Sequence, residues 1–471
     1  MLRKTLLGGT AAIVVMAVTA PAAYAGTSEA LLKKLHDKGI LDDAEYQALL
    51  NEEQAEEAKA AQAAATPAPA MQQAQAALDD KTVVHMTDSG IGFQVGDATI
   101  TFSGSVNGFY VHDNPDMASA TTAVAGGIAN VGGNNSSAVR NGLLPGFLKV
   151  DVTTTQGGWD VGAHFGMYPG INSAAWGPLG ANNGGQPTAL ATAGIDFRQT
   201  YLTLGRKGFG TVKIGRDIGL FGSDAILNDI TLLSSGSPGG NVAPANTTLG
   251  RIGSGYIYTD FQPQITYTTP SFGGFQASAG VFQPLASLTA PAQSNSEPGF
   301  QGKLTYDGKW SDIAAHLWLS GITQKHDTIS GVSYTGRGFD AGAKITVGPI
   351  AALGYYYNAT GLGTTVLNLL DTDAVGNPRD SHGFYAQALA TFGKIGIGGS
   401  YGASFLDYAN AADALANPTL VRKNSSWVGQ VRYNMTSWVT LIGEYVHSKA
   451  EAHNGNEAKS DALALGGILF F

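Results

Sequence analysis

Residues 194–217 read GIDFRQTYLTLGRKGFGTVKIGRD. Two strand-like runs, Ile195–Gly205 and Thr211–Arg216, flank the tight turn Arg206–Gly210. Glycine at Gly208 and Gly210 suits such a turn. The segment that follows, Asp217–Gly250, is a loop of 34 residues. Loops that long without regular structure are usually functional or disordered. Leu220, Phe221, Ile226, Leu227, Ile230, Leu232 and Leu233 give this one apolar anchors, and Asp217, Asp224 and Asp229 give it charge. An apolar, acidic loop between two strands is expected to fold back against its own protein.

Composition bounds the class. Glycine accounts for 64 of 471 residues and charged residues for only 13%. The first is nearly twice the usual share and the second about half of it. That balance suits many short strands and tight turns. The net charge of −9 lies mostly in residues 26–97, and no basic patch points to nucleic acid. There are no cysteines, which excludes disulfides, thiol catalysis and thiolate metal sites.

The chain begins like an exported one. Arg3-Lys4 form a basic start, Leu6–Val18 an apolar core and Ala23-Tyr24-Ala25 a small-x-small cleavage site, so residues 1–25 read as a signal peptide. No later run reaches the ~18 apolar residues of a membrane helix. Residues 26–65 are helical in pattern. Leu31, Leu32 and Leu35 share a face, Gly39 stops the first helix, and Asp42 with Glu45 forms a capping box. Tyr46, Leu49 and Leu50 continue the stripe, which suits a short helical bundle or a solvated spacer. Residues 66–97 form an Ala/Pro/Gln-rich linker and lead-in.

From Ala98 the period becomes two. Leu148, Val150 and Val152 oppose Lys149, Asp151 and Thr153; Phe339, Ala341 and Ala343 oppose Asp340 and Lys344; Val439, Leu441 and Tyr445 oppose Thr440 and Glu444. Sixteen strands are expected, one of them from Gly253 and interrupted by Pro263. Short turns such as Gln156–Gly158, Asp307–Trp310 and Gly393-Lys394 alternate with long segments such as Asn114–Pro145, Pro169–Ala193 and Gly361–Asp380. A sandwich would bury the apolar face, whereas a membrane barrel turns it to lipid. Alternating short and long connections mark the barrel. Trp159, Phe209, Phe272, Phe275, Trp310, Trp427 and Trp438 suit interfacial girdles at strand ends. The last strand ends on the aromatic Phe471.

The stretch Phe197–Gly205 with Gly208–Asp217 resembles the strand–turn–strand before the constriction loop of Gram-negative general porins. Thr266–Phe275 is similar to the turn after that family's sixth strand. The helical prefix resembles the DcaP-like, dicarboxylate-type subgroup with a coiled-coil segment. The resemblance covers residues 98–471. It implies a 16-stranded antiparallel transmembrane barrel, a homotrimer in outer-membrane lipid, with the Asp217–Gly250 loop folded into each pore. The implied function is passive diffusion of small hydrophilic solutes, with no cofactor or metal.

Strand parity points Lys149, Lys213, Lys303, Lys344 and Arg432 into the lumen, with Asp151, Asp160, Asp260, Asp340 and Glu444 as acidic counterparts. Arg198 joins them by its match to the family motif, although Leu202 and Leu204 leave its parity open. Arg216 and Arg251 bracket the loop, and Asp224 and Asp229 sit on it. The expected arrangement is a basic wall facing an acidic loop, tipped toward anions by Arg198, Lys213 and Arg216. Nine scattered histidines lack metal-site spacing, and the glycines of Gly396–Gly402 suit close packing. Two alternatives remain: an anchor tethering the envelope to the cell wall through the helical prefix, and a barrel hydrolase.

Overall fold

The computed structural model describes residues 25–38, 41–65, 84–86, 90–129, 134–171, 195–239, 247–289, 293–327 and 331–471. Residues 1–24 of the signal segment, the helix stop at Gly39 and residues 66–83 of the linker lie outside these. The chain divides into two units, residues 1–83 and 84–471.

The described part of the first unit is a pair of helices, Ala25–Asp37 and Asp43–Ala65. Asp42 and Glu45 form the expected reciprocal cap: the Glu45 amide donates to Asp42 Oδ1 at 2.8 Å, and the Asp42 amide to Glu45 Oε2 at 3.2 Å. His36 lies 2.6 Å from Asp43 and packs its ring on Tyr46. Leu32 and Leu35 are half-buried, whereas Leu31 is exposed. No helix among the described residues is long and apolar enough to cross a membrane.

The second unit is one sheet. Its strands are β1 (Val84–Met86), β2 (Ile91–Val95), β3 (Ala98–Pro115), β4 (Ser136–Arg140), β5 (Phe147–Gln156), β6 (Trp159–Pro169) and β7 (Ile195–Arg206). Then come β8 (Gly210–Ile218), β9 (Phe261–Thr268), β10 (Phe275–Phe282), β11 (Gly299–Trp310), β12 (Ile313–Asp327) and β13 (Ser333–Val347). The last are β14 (Ile350–Thr360), β15 (Asp380–Phe392), β16 (Ile395–Leu406), β17 (Val421–Asn434), β18 (Val439–Ala452) and β19 (Glu457–Phe470). β3 and β5–β19 pair antiparallel in a ring of 16 strands, closed where Ser460–Phe470 of β19 meets Ser105–Pro115 of β3. Closure removes the sheet edges, as a membrane-spanning sheet requires. Phe471 extends the seam through backbone bonds to and from Gly104, both 3.1 Å. β2 pairs with the start of β3, and β4 with its end. The region read as a lead-in thus holds two short strands.

Inside and outside follow the period of two. Val106, Leu148, Ile265, Leu304, Phe339, Ile397 and Leu465 are exposed on the outer face. Aromatics near the short turns touch one another: Trp159 with Phe209, Phe209 with Tyr267, and Phe275 with Tyr306. Trp427 lies mid-strand instead, in a second row with Tyr401 and Phe384.

Two connections differ from expectation. The strand expected from Gly253 begins at Phe261, because Gly253–Asp260 belongs to the loop. Pro263 sits within β9 opposite Arg216. The turn expected at Asp307–Trp310 falls at Ser311-Asp312, since β11 pairs with β12 through Trp310.

The core lies inside the barrel. Phe221, Ala225 and Ile226 of the loop pack with Ile252, Tyr256 and Ile257, with Tyr355, Tyr357 and Tyr385 of the wall, and with Leu362 and Val366 of the Gly361–Arg379 connection. Tyr258 exchanges backbone bonds with Thr365 (2.8 Å) and Leu367 (3.3 Å), so two long connections brace each other.

Candidate functional site

The loop between β8 and β9 contains the helix Ser223–Asn228 and the 3-10 turn Ile230–Leu233. Its orphan backbone groups find partners on the wall. The Leu220 and Phe221 amides donate to Gln301 Oε1 at 2.8 and 3.0 Å. The Gly222 amide donates to Asp340 Oδ2 at 2.6 Å. Gln387 brackets the middle, accepting from the Ile230 amide and donating to the Asn228 carbonyl, at 2.8 and 2.7 Å. Glu444 accepts from Ser234 Oγ at 2.5 Å and from the Gly236 amide at 2.6 Å. Neutral bonds of this kind contribute about 0.5–1.5 kcal/mol each and charge-assisted ones about 1.5–3. Several together hold the loop across the lumen against β11–β18.

Close approach to β16 depends on glycine. A Cβ at Gly402 would lie 2.5 Å from the Ser254 carbonyl oxygen, and one at Gly398 would lie 2.6 Å from Ile230 Cδ1. The glycine-rich stretch is a bed for the loop.

The charges expected to make a transverse field are arranged differently. Asp224 turns into the wall, meeting Lys303 Nζ at 2.8 Å and His316 Nε2 at 3.0 Å. Asp229 is buried, takes the Tyr256 hydroxyl at 2.9 Å, and lies 3.8 Å from Arg251 Nε. Arg251 itself is fully buried and donates to Ser426 Oγ at 3.0 Å. It is a strut for the loop, not a group bracketing an open pore. Lys303, Asp340 and Glu444 face inward but dock the loop. Asp260 is the last loop residue, held by its own neighbour's amide (Phe261 N, 2.6 Å), rather than part of a strand.

Near the loop on the opposite wall, Lys213 pairs with Asp217, which also accepts from Gln199 Nε2 at 2.7 Å. Asp151 binds His164 Nδ1 at 2.5 Å, and His164 reaches Thr203. Asp160 accepts from Thr155 at 2.7 Å, close to the short-turn end. Arg216 is exposed on the same face as Ile214 and donates to the Phe261 carbonyl at 2.6 Å. It is placed outside the barrel, because strand parity carries it there.

Arg198 points inward for a local reason. The β6–β7 register shifts between Gly166 and Tyr168, so two β7 residues, Phe197 and Arg198, oppose the single residue Met167. A bulge of this kind re-aims a side chain. Phe197 stays outside at 56% exposure, while the Arg198 guanidinium stacks on Tyr168 (4.9 Å) and Phe261 (5.5 Å) and pairs with Asp196 at 2.8 Å.

Two cavities flank the loop. One, about 270 Å³, lies between the loop and β5–β9 and includes Lys149, Arg198, Gln199, Ile226, Leu227 and Leu232. The other, about 280 Å³, lies between the loop and the far wall and includes Leu227, Leu232, Lys344, Gln387 and Arg432. Lys149, Lys344 and Arg432 form no ion pair among the described residues. Lys344 donates to Asn228 Oδ1 at 3.2 Å and Arg432 to the Ile230 carbonyl at 2.7 Å. The loop turns Leu227, Ile230, Leu232 and Leu233 toward them, and the two carboxylates at the cavities, Asp217 and Asp229, are already engaged, the first by Lys213 and the second by Arg251 and Tyr256. Gln301, Gln387, Gln430 and Tyr385, which fasten the loop, escaped the sequence reading because they carry no charge. Among the described residues no group of three or more His, Asp or Glu could hold a metal ion.

A closed barrel of alternating faces, with a loop narrowing a charged lumen, is a membrane diffusion channel. Residues 60–454 match the family model described as Gram-negative porin, and the chain belongs to that family. No curated protein matches its sequence. Among solved structures it is similar to the outer membrane channel DcaP of Acinetobacter baumannii, at 16% identity and a TM-score of 0.60, covering 82% of this chain and 99% of that one. It is also similar to the anion-selective porin from Comamonas acidovorans, at 15% identity and a TM-score of 0.53, covering 79% and 100%. At such identities the likeness concerns the fold. The protein is an outer-membrane porin, a diffusion channel.

Proposed function

We propose that this porin is a passive channel preferring small organic anions, dicarboxylates among them. The observation that carries the reading is the charge balance at the loop. Asp224 and Asp229 are matched by Lys303 and Arg251, while Lys149, Lys344 and Arg432 form no ion pair among the described residues. In a lumen with low-dielectric walls such cations raise the local anion concentration. Conduction also requires binding weak enough for exit. The C. acidovorans protein, which shares the fold, is an anion-selective porin, in keeping with this reading. Reversal potential in a planar bilayer under a potassium chloride gradient tests it. Anion preference that falls on combining Lys149→Gln, Lys344→Gln and Arg432→Gln supports it; cation preference in the native chain refutes it.

The same reading takes residues 1–25 as a signal removed on export and residues 66–97 as a linker and lead-in. It takes three barrels as a trimer in outer-membrane lipid, with the helical segment 26–65 on the periplasmic side, in reach of the cell wall. Native mass measurement of the full chain and of a form lacking residues 26–78 tests the trimer. Only monomers in the shorter form would give assembly to the helices.

A further inference from the structure

The lining of the constriction is amphipathic, and that limits which anions suit it. Lys149 Nζ lies over the Phe147 ring at 5.2 Å. Arg198 is held between aromatic rings and tied to Asp196, so it offers less charge than its type suggests. Around these two groups the near cavity is walled by Leu143, Leu144, Ile226, Leu227, Leu232 and Ile252, and its polar members Gln199, Asp217 and Thr247 are already bonded within the protein. The far cavity repeats the design with Lys344 and Arg432 against Ile230, Leu233, Leu353 and Leu389, while its polar members Asp229 and Gln387 are taken up by Tyr256, Arg251 and the loop backbone. Leu227 and Leu232 border both, and Leu227 is 53% exposed. A solute passing on either side of the loop therefore meets a cation and a hydrocarbon surface together.

We propose that the constriction favours monocarboxylates with a compact apolar body, such as a branched alkyl or aryl group, over hydroxylated anions of equal size. The carboxylate takes the ammonium or guanidinium, and the body lies on the leucines. Apolar surface gains by leaving water there. Hydroxyl groups at the same place lose water and meet polar side chains, such as Gln199, Asp229 and Gln387, that are already bonded within the protein. The cavities are smaller than the roughly 300–1,000 Å³ of drug-sized sites, which confines the selection to small acids. The selection rests on the anion reading above and names its solute class.

Pivalate and glycerate have equal numbers of non-hydrogen atoms and opposite surfaces, and they serve as probes. Bi-ionic reversal potentials of the full chain in planar bilayers give their permeability ratio. The expected result is a ratio of about ten in favour of pivalate, the scale of discrimination by a small apolar contact. Leu227→Ser with Leu232→Ser brings the ratio near one and leaves the anion sign in potassium chloride unchanged. Leu227→Met, which keeps the hydrocarbon, retains the preference. Equal permeation of the two acids in the native chain, with anion preference intact, overturns this inference and leaves the anion channel standing. Cation preference in potassium chloride overturns both.

Discussion

Arg251 Nε stands 3.8 Å from Asp229 Oδ1, and both side chains are fully buried. Both belong to the loop, on either side of the stretch Ile230–Gly250. Arg251 also donates to Ser426 on β17, so one guanidinium joins two parts of the loop to the wall. Removing it leaves a buried carboxylate without its cation, a loss of about 3–5 kcal/mol. Arg251→Gln is predicted to release the loop while the barrel stays closed. Single-channel recording should give larger, noisier conductance. Heat-modifiable mobility on gels, which reports the barrel, should be unchanged. Quiet native-like currents would show that the pair does not restrain the loop.

The bulge in β7 and the parity of β8 assign Arg198 and Arg216 to opposite faces. The absence of native cysteine allows a clean test. With Lys149→Cys, a charged water-soluble methanethiosulfonate should block current, because that side chain lines the near cavity. Arg216→Cys should react without block. Block at position 216 would mean that the outer-face assignment is mistaken.

Gly402 and Gly429 make a matched pair. A side chain at Gly402 collides with the Ser254 carbonyl, whereas at Gly429 nothing lies within 4 Å of a built Cβ. Gly402→Val is predicted to displace the loop and change single-channel conductance. Gly429→Val should leave it as in the native protein. A native conductance in the Gly402 variant would count against close packing of loop on wall.

An acid-sensitive clasp lies in the connections distant from the short turns. Arg379 binds Asp413 through Nε and Nη2, both at 2.7 Å, and Asp413 belongs to the short helix Ala411–Ala416 between β16 and β17. Hydrogen bonds from Arg379 hold the Asp413 carboxyl down at about 2. A depressed carboxylate contributes stability that is complete above its unfolded value, about 3.9, and is lost as pH falls through its folded value. Pepsin cleavage of this connection should therefore rise between about pH 4 and pH 2. Asp413→Asn should be cleaved more readily than the native chain at every pH in that range. Equal cleavage of the two forms at pH 4 would remove the clasp from the account.

The barrel was legible because it needs only local information. Lys149 and Leu148 face opposite ways in any strand, and turns such as Gly157-Gly158 declare themselves by composition. The Gly253 strand failed for a definable reason. Ile257 and Tyr258 look like strand residues, yet their apolar side chains serve the core inside the lumen. Arg198 could not be assigned by alternation, since a one-residue bulge reverses parity without a distinct sequence mark.

The sequence by itself determined the closed sheet, the lipid-facing surface, and the place of the loop between the fifth and sixth barrel strands. Those follow from periods and turn lengths, which are properties of neighbouring residues. Only the tertiary structure decided what the loop presents to a solute. Asp224 and Asp229 read as an acidic face, but Lys303 of β11 pairs with the first and Arg251, at the far end of the loop, with the second. Leu227 and Leu232 read as anchors for burial, yet they border the open cavities. A charge counts for selectivity only where no partner meets it, and those partners are set by folding: Lys303 comes from β11, 79 residues from Asp224, and Arg251 from the far end of the loop.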